Sequence, residues 1–352
     1  MINIHEQYMF RCLELAAKGL GTVAPNPMVG AVLVHNNQII GEGYHQQYGE
    51  HHAEVNCLNA VAANNKILIP ESILYVSLEP CAHHGKTPPC ANLIIEKGIK
   101  KVVVGCRDPF NEVNGKGIEK LLAAGIEVVE GVLETACKNI NKRFFTFHQQ
   151  QRPYIILKWA ETANRKMATL GDERLLISNA ITNQLVHRWR SEEAAILIGS
   201  NTALKDNPSL TNRHWIGKSP SRLLIDTSLK LPISLNLFSD GAPLIVYNFK
   251  KNAEIGAVQY KMIDSQKNVL LQIVEDAYNV GLQSIIVEGG AILLQSFIDA
   301  SIWDEARIIC NTKLTVPVGL DAPYLTNAEE TNRFQILNDQ IVELKKINNL
   351  IN

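Results

Sequence analysis

Apolar and polar positions along this chain change period in a regular way. Over 4–19, Tyr8, Met9, Cys12, Leu13, Leu15 and Ala16 recur at helical spacing. Asn3 and Glu6 form a capping-box pattern ahead of them, and Gly19 stands where such a helix would stop. Pro25-Asn26-Pro27 then breaks the chain before an apolar strand over 29–34; after the Asn36-Asn37 turn signal a second strand is predicted over 38–42. The pattern continues with a helix from His51-His52 to about 63, a strand over 73–78 and a helix over 91–97. A strand over 101–105, a helix over 118–124, a strand over 126–129 and a helix over 134–145 follow. Strands and helices in alternation, with short connections, predict an α/β unit with a mostly parallel sheet covered on both faces.

His148-Gln149-Gln150-Gln151-Arg152-Pro153 is a short polar stretch between two apolar blocks, and the domain boundary is placed there, giving 1–148 and 149–352. The second half restarts with a strand over 154–159, a helix over 179–189, and strands over 194–199, 222–226 and 244–247. A helix over 269–280 leads to a strand over 284–287. Glu288-Gly289-Gly290 then opens a helix over 291–298, and a final strand is expected over 305–310. This half is again α/β. Backbone amides at a strand–Glu-Gly-Gly–helix junction suit a phosphate, although a simple turn has the same pattern and no G-x-G-x-x-G fingerprint is present.

Composition narrows the function classes. A formal net charge of −1 and a pI near 6.8 give no bulk attraction for nucleic acid or an anionic membrane. No run of about 18 apolar residues occurs, so a cytoplasmic, non-membrane protein is expected. Seven cysteines, an odd number, point to thiols and metal ligands in a reducing compartment. Cys12, Cys57, Cys106, Cys137 and Cys310 lie in apolar-patterned segments and read as core.

The chemistry-bearing residues are His52-Ala53-Glu54, Pro80-Cys81 and Pro89-Cys90. One histidine and two cysteines give zinc three protein ligands and leave a fourth position for water. Glu54, two residues past His52, is free to move protons between that water and a leaving nitrogen. H-x-E followed by paired Pro-Cys is the pattern of zinc-dependent nucleobase deaminases. Here the cysteines are spread apart by Ala-His-His-Gly-Lys-Thr-Pro-Pro. A closed structural zinc site is the alternative, with His51, His83 or His84 as fourth ligand; it would leave Glu54 without a task.

The run from Glu79 to Cys90, with His52-Ala53-Glu54 upstream, resembles the bifunctional riboflavin-biosynthesis deaminase–reductase family. Ile198-Gly199-Ser200-Asn201-Thr202, 206–211 and Val287-Glu288-Gly289-Gly290 resemble its reductase half. The resemblance implies a cytidine-deaminase-like domain followed by a dihydrofolate-reductase-like domain. It implies a phosphoribosyl-pyrimidine deaminated with Zn2+ and then reduced at its ribosyl group with NADPH. On the deaminase side it implies Asn26 at the pyrimidine, Lys86 at the phosphate and Asp108 at the ribose, with His45 and Glu50 near the pocket. On the reductase side it implies Arg190, Leu210, Arg213 and Glu288 at the substrate, and Ala160, Thr202, Asp206, Gly289 and Gly290 at the cofactor. The two arginines suit a phosphate by charge and forked donor geometry.

Three departures from the family stand in the second half. Asn164-Arg165 replaces an Asp-Gly turn, Arg174 replaces a small polar residue, and Leu176 replaces an aromatic. Weakened NADPH binding is the expected consequence. Two other functions stay open at this point. A tRNA or nucleoside deaminase would need a short C-x-x-C, and for tRNA a basic surface as well. A deaminase with a silent nucleotide-binding or dimerisation module would show no NADPH oxidation. A homo-oligomer is expected.

Overall fold

In the computed structural model, which describes residues 3–82, 88–110, 113–171 and 175–347, two large sheets, of five and ten strands, organise the chain. Each belongs to its own compact unit, Met1–Gln151 and Arg152–Asn352.

The first unit runs α1 (Ile4–Ala17), β1 (Gly30–His35), β2 (Gln38–Tyr44), α2 (Ala53–Asn59), a 3-10 stretch (Ala63–Glu71) and β3 (Ile73–Leu78). It continues through α3 (Cys90–Glu96), β4 (Lys101–Cys106), α4 (Lys116–Ala123), β5 (Glu127–Glu130), α5 (Glu134–Ile140) and α6 (Lys142–Gln150). The capping box at α1 is formed by Asn3 and Glu6, as their spacing predicts. Strand order is β2-β1-β3-β4-β5. This sheet is mixed: β1 is antiparallel to β2 and to β3, and only β3, β4 and β5 run parallel. The antiparallel pairing follows from the Asn36-Asn37 hairpin, where both residues take positive φ. One face is covered by α2, α3 and α4 around Cys57, Ile94 and Leu121. The other is covered by α1 and α5 around Met9, Cys12 and Cys137. A Cβ on Gly43 would overlap the backbone of Cys57, so β2 and α2 meet backbone to backbone. That contact fixes the helix whose first turn carries Glu54.

The helix predicted over 134–145 is broken at Asn141. Its side chain accepts from the Met28 N–H and donates to the Met28 carbonyl, both at 2.8 Å. A contact spanning 113 residues outweighs local helical continuity.

The second unit comprises β6 (Tyr154–Thr162), β7 (Lys166–Thr169), α7 (Ala180–Glu192), β8 (Ala195–Gly199), α8 (Ser200–Asp206) and β9 (Ser221–Ile225). Next come α9 (Asn236–Ser239), β10 (Leu244–Asn248), β11 (Ala253–Ile255), β12 (Val258–Met262), α10 (Val269–Asn279), β13 (Ser284–Glu288) and α11 (Ala291–Asp299). β14 (Glu305–Asn311), β15 (Gly319–Asp321), β16 (Ala328–Ile336) and β17 (Asp339–Lys346) complete it. The strand predicted over 305–310 is therefore not the last. An antiparallel hairpin, β16–β17, extends the sheet beyond it. The main sheet has order β11-β12-β10-β9-β8-β13-β6-β14-β17-β16, parallel from β12 through β14. The chain steps outward from β8 to β12, then returns to insert β13 between β8 and β6. This reversal is a topological switch point, where open parallel sheets leave a crevice at their carboxyl ends.

Candidate active sites

In the first unit, two strand-to-helix junctions bring three ligands together. His52 is the N-cap of α2, Cys81 follows β3, and Cys90 opens α3. Their ligand atoms all lie within 4.8 Å of one another, and among the described residues this is the group able to hold a metal. His52 Nδ1 is 3.5 Å from Cys81 Sγ and 3.4 Å from Cys90 Sγ. Tetrahedral zinc, with bonds of about 2.3 Å to sulfur and about 2.0 Å to nitrogen, sets its sulfur and nitrogen ligands about 3.5 Å apart. The donor set fits zinc. His51 is not part of it, and His83, His84 and Lys86 lie outside the described residues.

The electrostatics suit a cation. The Cys90 hydrogen bond, and behind it that of His52, hold the Cys81 thiol down to about 4. His52 is raised, chiefly by its bond to Cys81. Glu54 is 3% exposed, and burial pushes its carboxyl above the usual range. Asn26 donates through Nδ2 to His45 Nε2 at 3.1 Å, while His45 Nδ1 donates to the His51 carbonyl at 3.0 Å. The His45 ring stands edge-on to His52, 5.3 Å between centroids, so Asn26 is linked through His45 to the metal cluster. Glu50 is exposed.

Glu79 is a feature that sequence reasoning missed. Its buried carboxylate accepts from the N–H groups of Asp108, Gly115, Gly117 and Ile118 at 2.9–3.3 Å. It thereby ties the loop after β4 to the segment carrying Cys81. A Cβ on Gly117 would overlap the Pro80 carbonyl, so this approach requires glycine. Asp108 is buried by that loop, and desolvation pushes its carboxyl up to about 7. The only sequence signal was an acidic residue beside Pro-Cys.

In the second unit, a cavity of about 800 Å³ opens at the switch point. Arg190, Leu210, Arg213, Glu288, Ala160, Thr202, Asp206, Gly289 and Gly290 all line it. Strand register sets Glu288 on β13 beside Lys158 on β6. Arg190 binds the Glu288 carboxylate through two hydrogen bonds of 2.8 Å, and Lys158 Nζ lies 3.7 Å from it. Burial would raise Glu288, but the Arg190 and Lys158 charges together hold it down to about 2. Burial lowers Lys158. Lys158 was not among the expected site residues, because a lysine inside an apolar strand carries no motif. Thr202 Oγ1 accepts from the Gly290 N–H at 2.9 Å, so that amide already serves the protein and is not an open phosphate donor.

Of the departures, Leu176 lines the cavity and is 75% exposed, while Arg174 lies outside the described residues. Asn164 and Arg165 are absent from the cavity lining. Asn164 bonds Thr162 and the backbone of Val316, and Arg165 takes a φ of 59°.

Residues 2–106 match the family model for the cytidine and deoxycytidylate deaminase zinc-binding region, and residues 153–349 match the RibD C-terminal domain. A zinc-binding deaminase unit followed by a reductase unit defines a bifunctional deaminase–reductase. Riboflavin biosynthesis protein RibD of Aquifex aeolicus is 39% identical over 321 residues, covering 89% of this chain and 88% of that one. That of Bacillus amyloliquefaciens is 39% identical over 312 residues, covering 86% and 83%. The chain belongs to the RibD family of riboflavin biosynthesis proteins. A crystal structure of the diaminohydroxyphosphoribosylaminopyrimidine deaminase/5-amino-6-(5-phosphoribosylamino)uracil reductase of Thermotoga maritima superposes with a TM-score of 0.88. It is 36% identical, with 97% of this chain and 99% of that chain covered. Acinetobacter baumannii RibD gives 0.86 at 28% identity, covering 97% and 98%. Zinc serves the first half of such an enzyme and NADPH the second. A silent second half is not favoured. Among the described residues no helix is long and apolar enough to cross a membrane.

Proposed function

We propose that the first unit deaminates 2,5-diamino-6-(5-phosphoribosylamino)pyrimidin-4(3H)-one, and that the second reduces 5-amino-6-(5-phosphoribosylamino)uracil to its ribitylamino product. His52, Cys81 and Cys90 would hold the zinc, which supplies Lewis acidity to make water a nucleophile near neutral pH. Glu54 takes a proton from the attacking water and delivers it to the departing nitrogen as the new C–O bond replaces C–N and ammonia leaves. Asn26, its NH2 held by His45, has its amide oxygen left to accept from a ring N–H. Asp108 stands for the ribose and Lys86 for the phosphate.

In the second unit, bound NADPH would supply a hydride. Reduction of the ribosyl carbon also consumes a proton, and Lys158, part-buried with its pKa lowered by desolvation, serves as the donor. Glu288 holds Lys158 and Arg190 in place, and Arg190 and Arg213 take the substrate phosphate. Ala160, Thr202, Asp206, Gly289 and Gly290 form the cofactor side, with Leu210 packing on the substrate. The enzyme acts as a homo-oligomer, a point for light scattering.

The observation that carries this reading is the pairing of a buried Glu54 beside a zinc-shaped His-Cys-Cys set with a separate cavity lined by Arg190, Lys158 and Glu288. Supplying each pyrimidine to the purified chain, with and without NADPH, tests it. Ammonia from the first without NADPH, and ribityl product from the second only with it, are expected. Ammonia release with no ribityl product at saturating NADPH would leave the deaminase alone.

A further inference from the structure

Arg213 differs from the other charged groups of the reductase cavity in being carried on an exposed loop. A guanidinium on such a loop presents a fixed fork only if the backbone beneath it is held. That hold comes from α7. The Arg213 backbone N–H donates to His187 Nδ1 at 3.0 Å. His187 is 5% exposed, sits one turn before Arg190 on the same helix, and meets the His214 ring edge-on at 4.6 Å between centroids. The other end of the loop is fastened separately: Arg222 donates to the Ser209 carbonyl at 3.2 Å, and Arg213 Nη1 to Ser209 Oγ at 2.8 Å.

An Nδ1 that accepts a backbone N–H must be unprotonated, which puts the ring hydrogen on Nε2. The surroundings enforce this. Burial first, then the charges of Arg190, His214 and Arg213, hold His187 down to about 4 against the opposing pull of Glu288.

We propose that His187 is a positioning residue of the reductase: its neutral imidazole clamps the Arg213 backbone and sets the loop arginine at a fixed spacing from Arg190, so that the two guanidinium groups receive one phosphate. This rests on the reading that Arg190 and Arg213 bind the substrate phosphate. His187 itself needs no contact with the substrate.

The test compares two variants of nearly equal size in the full chain. Asn places an acceptor oxygen near the position of Nδ1, and Leu does not. His187→Leu is expected to raise the KM for the phosphorylated pyrimidine about tenfold, the equivalent of one lost hydrogen bond. Inhibition by inorganic phosphate should weaken in parallel, with the KM for NADPH and the deaminase rate unchanged. His187→Asn should recover most of that loss. Equal losses in Asn and Leu, or a KM for NADPH that moves in step, would make His187 a packing residue and overturn the proposal. If the Leu variant does not fold, the Asn variant decides alone: a near-normal substrate KM supports the clamp, and a tenfold rise refutes it. Arg213→Ala is run beside them. If it leaves the substrate KM and phosphate inhibition untouched, the phosphate reading itself fails, whatever His187 does.

Discussion

Two buried carboxylates, one in each unit, have been driven in opposite directions. Glu54 is 3% exposed and burial raises its pKa; Glu288 is 8% exposed and sits at about 2. Burial acts on both in the same sense, so the difference lies in their company. Glu54 faces one histidine and two cysteines. Glu288 has a guanidinium bonded to both oxygens and an ammonium at 3.7 Å. A carboxyl raised above its ordinary range takes up a proton more readily and is fitted to carry one. One that stays ionised is fitted to hold cations in place. Glu54 is placed for proton movement, Glu288 for fixed charge.

Replacing each carboxylate by its amide tests the contrast, and Glu54→Gln has the larger effect. The amide keeps its shape and hydrogen bonds but cannot accept the proton, so deamination should fall by about four powers of ten. Zinc content and reductase turnover should be unchanged. Near-normal ammonia release would remove Glu54 from the mechanism.

Glu288→Gln instead strikes the fold together with the reductase. It leaves the part-buried cations Arg190 and Lys158 uncompensated, at a cost of about 3 kcal/mol. All four tryptophans, Trp159, Trp189, Trp215 and Trp303, lie in the second unit, so their fluorescence in urea reports on it alone. The pH dependence has a definite sign. Because the folded-state pKa is depressed, the stabilisation is full above the ordinary value of 4.5 and is lost as pH falls toward about 2. The gap between wild type and variant should therefore close on acidification. A gap that stays constant from pH 5 to about 2 would show that the ion pairs are not its source.

The same contrast explains how much could be read from sequence. The metal cluster comes from short contiguous motifs at strand-to-helix junctions, where neighbours in sequence are neighbours in space. His52, Glu54, Cys81 and Cys90 were legible for that reason. The supports of that site were not. Asn141 reaches Met28 across 113 residues and Glu79 gathers a loop up to 39 residues on, neither with a local pattern. In the second unit, Lys158 and Glu288 meet only because β13 is inserted beside β6, a topology that no periodicity encodes. The hairpin β16–β17 was missed because the residues of β16 are largely exposed and polar, as an edge strand allows. β7 and β15, at four and three residues, are too short to show a period.

Smaller effects are expected at the turn where the chain departs from its family. Asn164 Oδ1 accepts from Thr162 Oγ1 and the Val316 N–H, and Nδ2 donates to the Val316 carbonyl. These bonds fasten the chain ahead of β15, whose Leu320 lines the cavity. Asn164→Ala should cost about 2 kcal/mol by leaving part-buried backbone groups unpaired. NADPH affinity should weaken by a few-fold as that segment loosens. An unchanged dissociation constant, with stability lost, would separate the turn from the cofactor.

The smallest effect belongs to Arg165, although its sequence context suggested the opposite. A φ of 59° penalises any residue with a Cβ, by about 1 kcal/mol, and glycine would remove that. Glycine also brings a more flexible unfolded chain, which costs about 0.5–1 kcal/mol. It would further delete the hydrogen bond from Arg165 Nη2 to the Pro323 carbonyl at 2.7 Å. At a part-exposed site that bond contributes about 0.5 kcal/mol. The terms nearly cancel, so Arg165→Gly should shift stability by less than about 1 kcal/mol. Since Arg165 does not line the cavity, NADPH affinity should change by less than about twofold. Fluorescence titration with NADPH measures this. A tenfold tightening would mean that the backbone of this turn reaches the cofactor side of the cavity, and that Arg165 weakens cofactor binding from outside the lining.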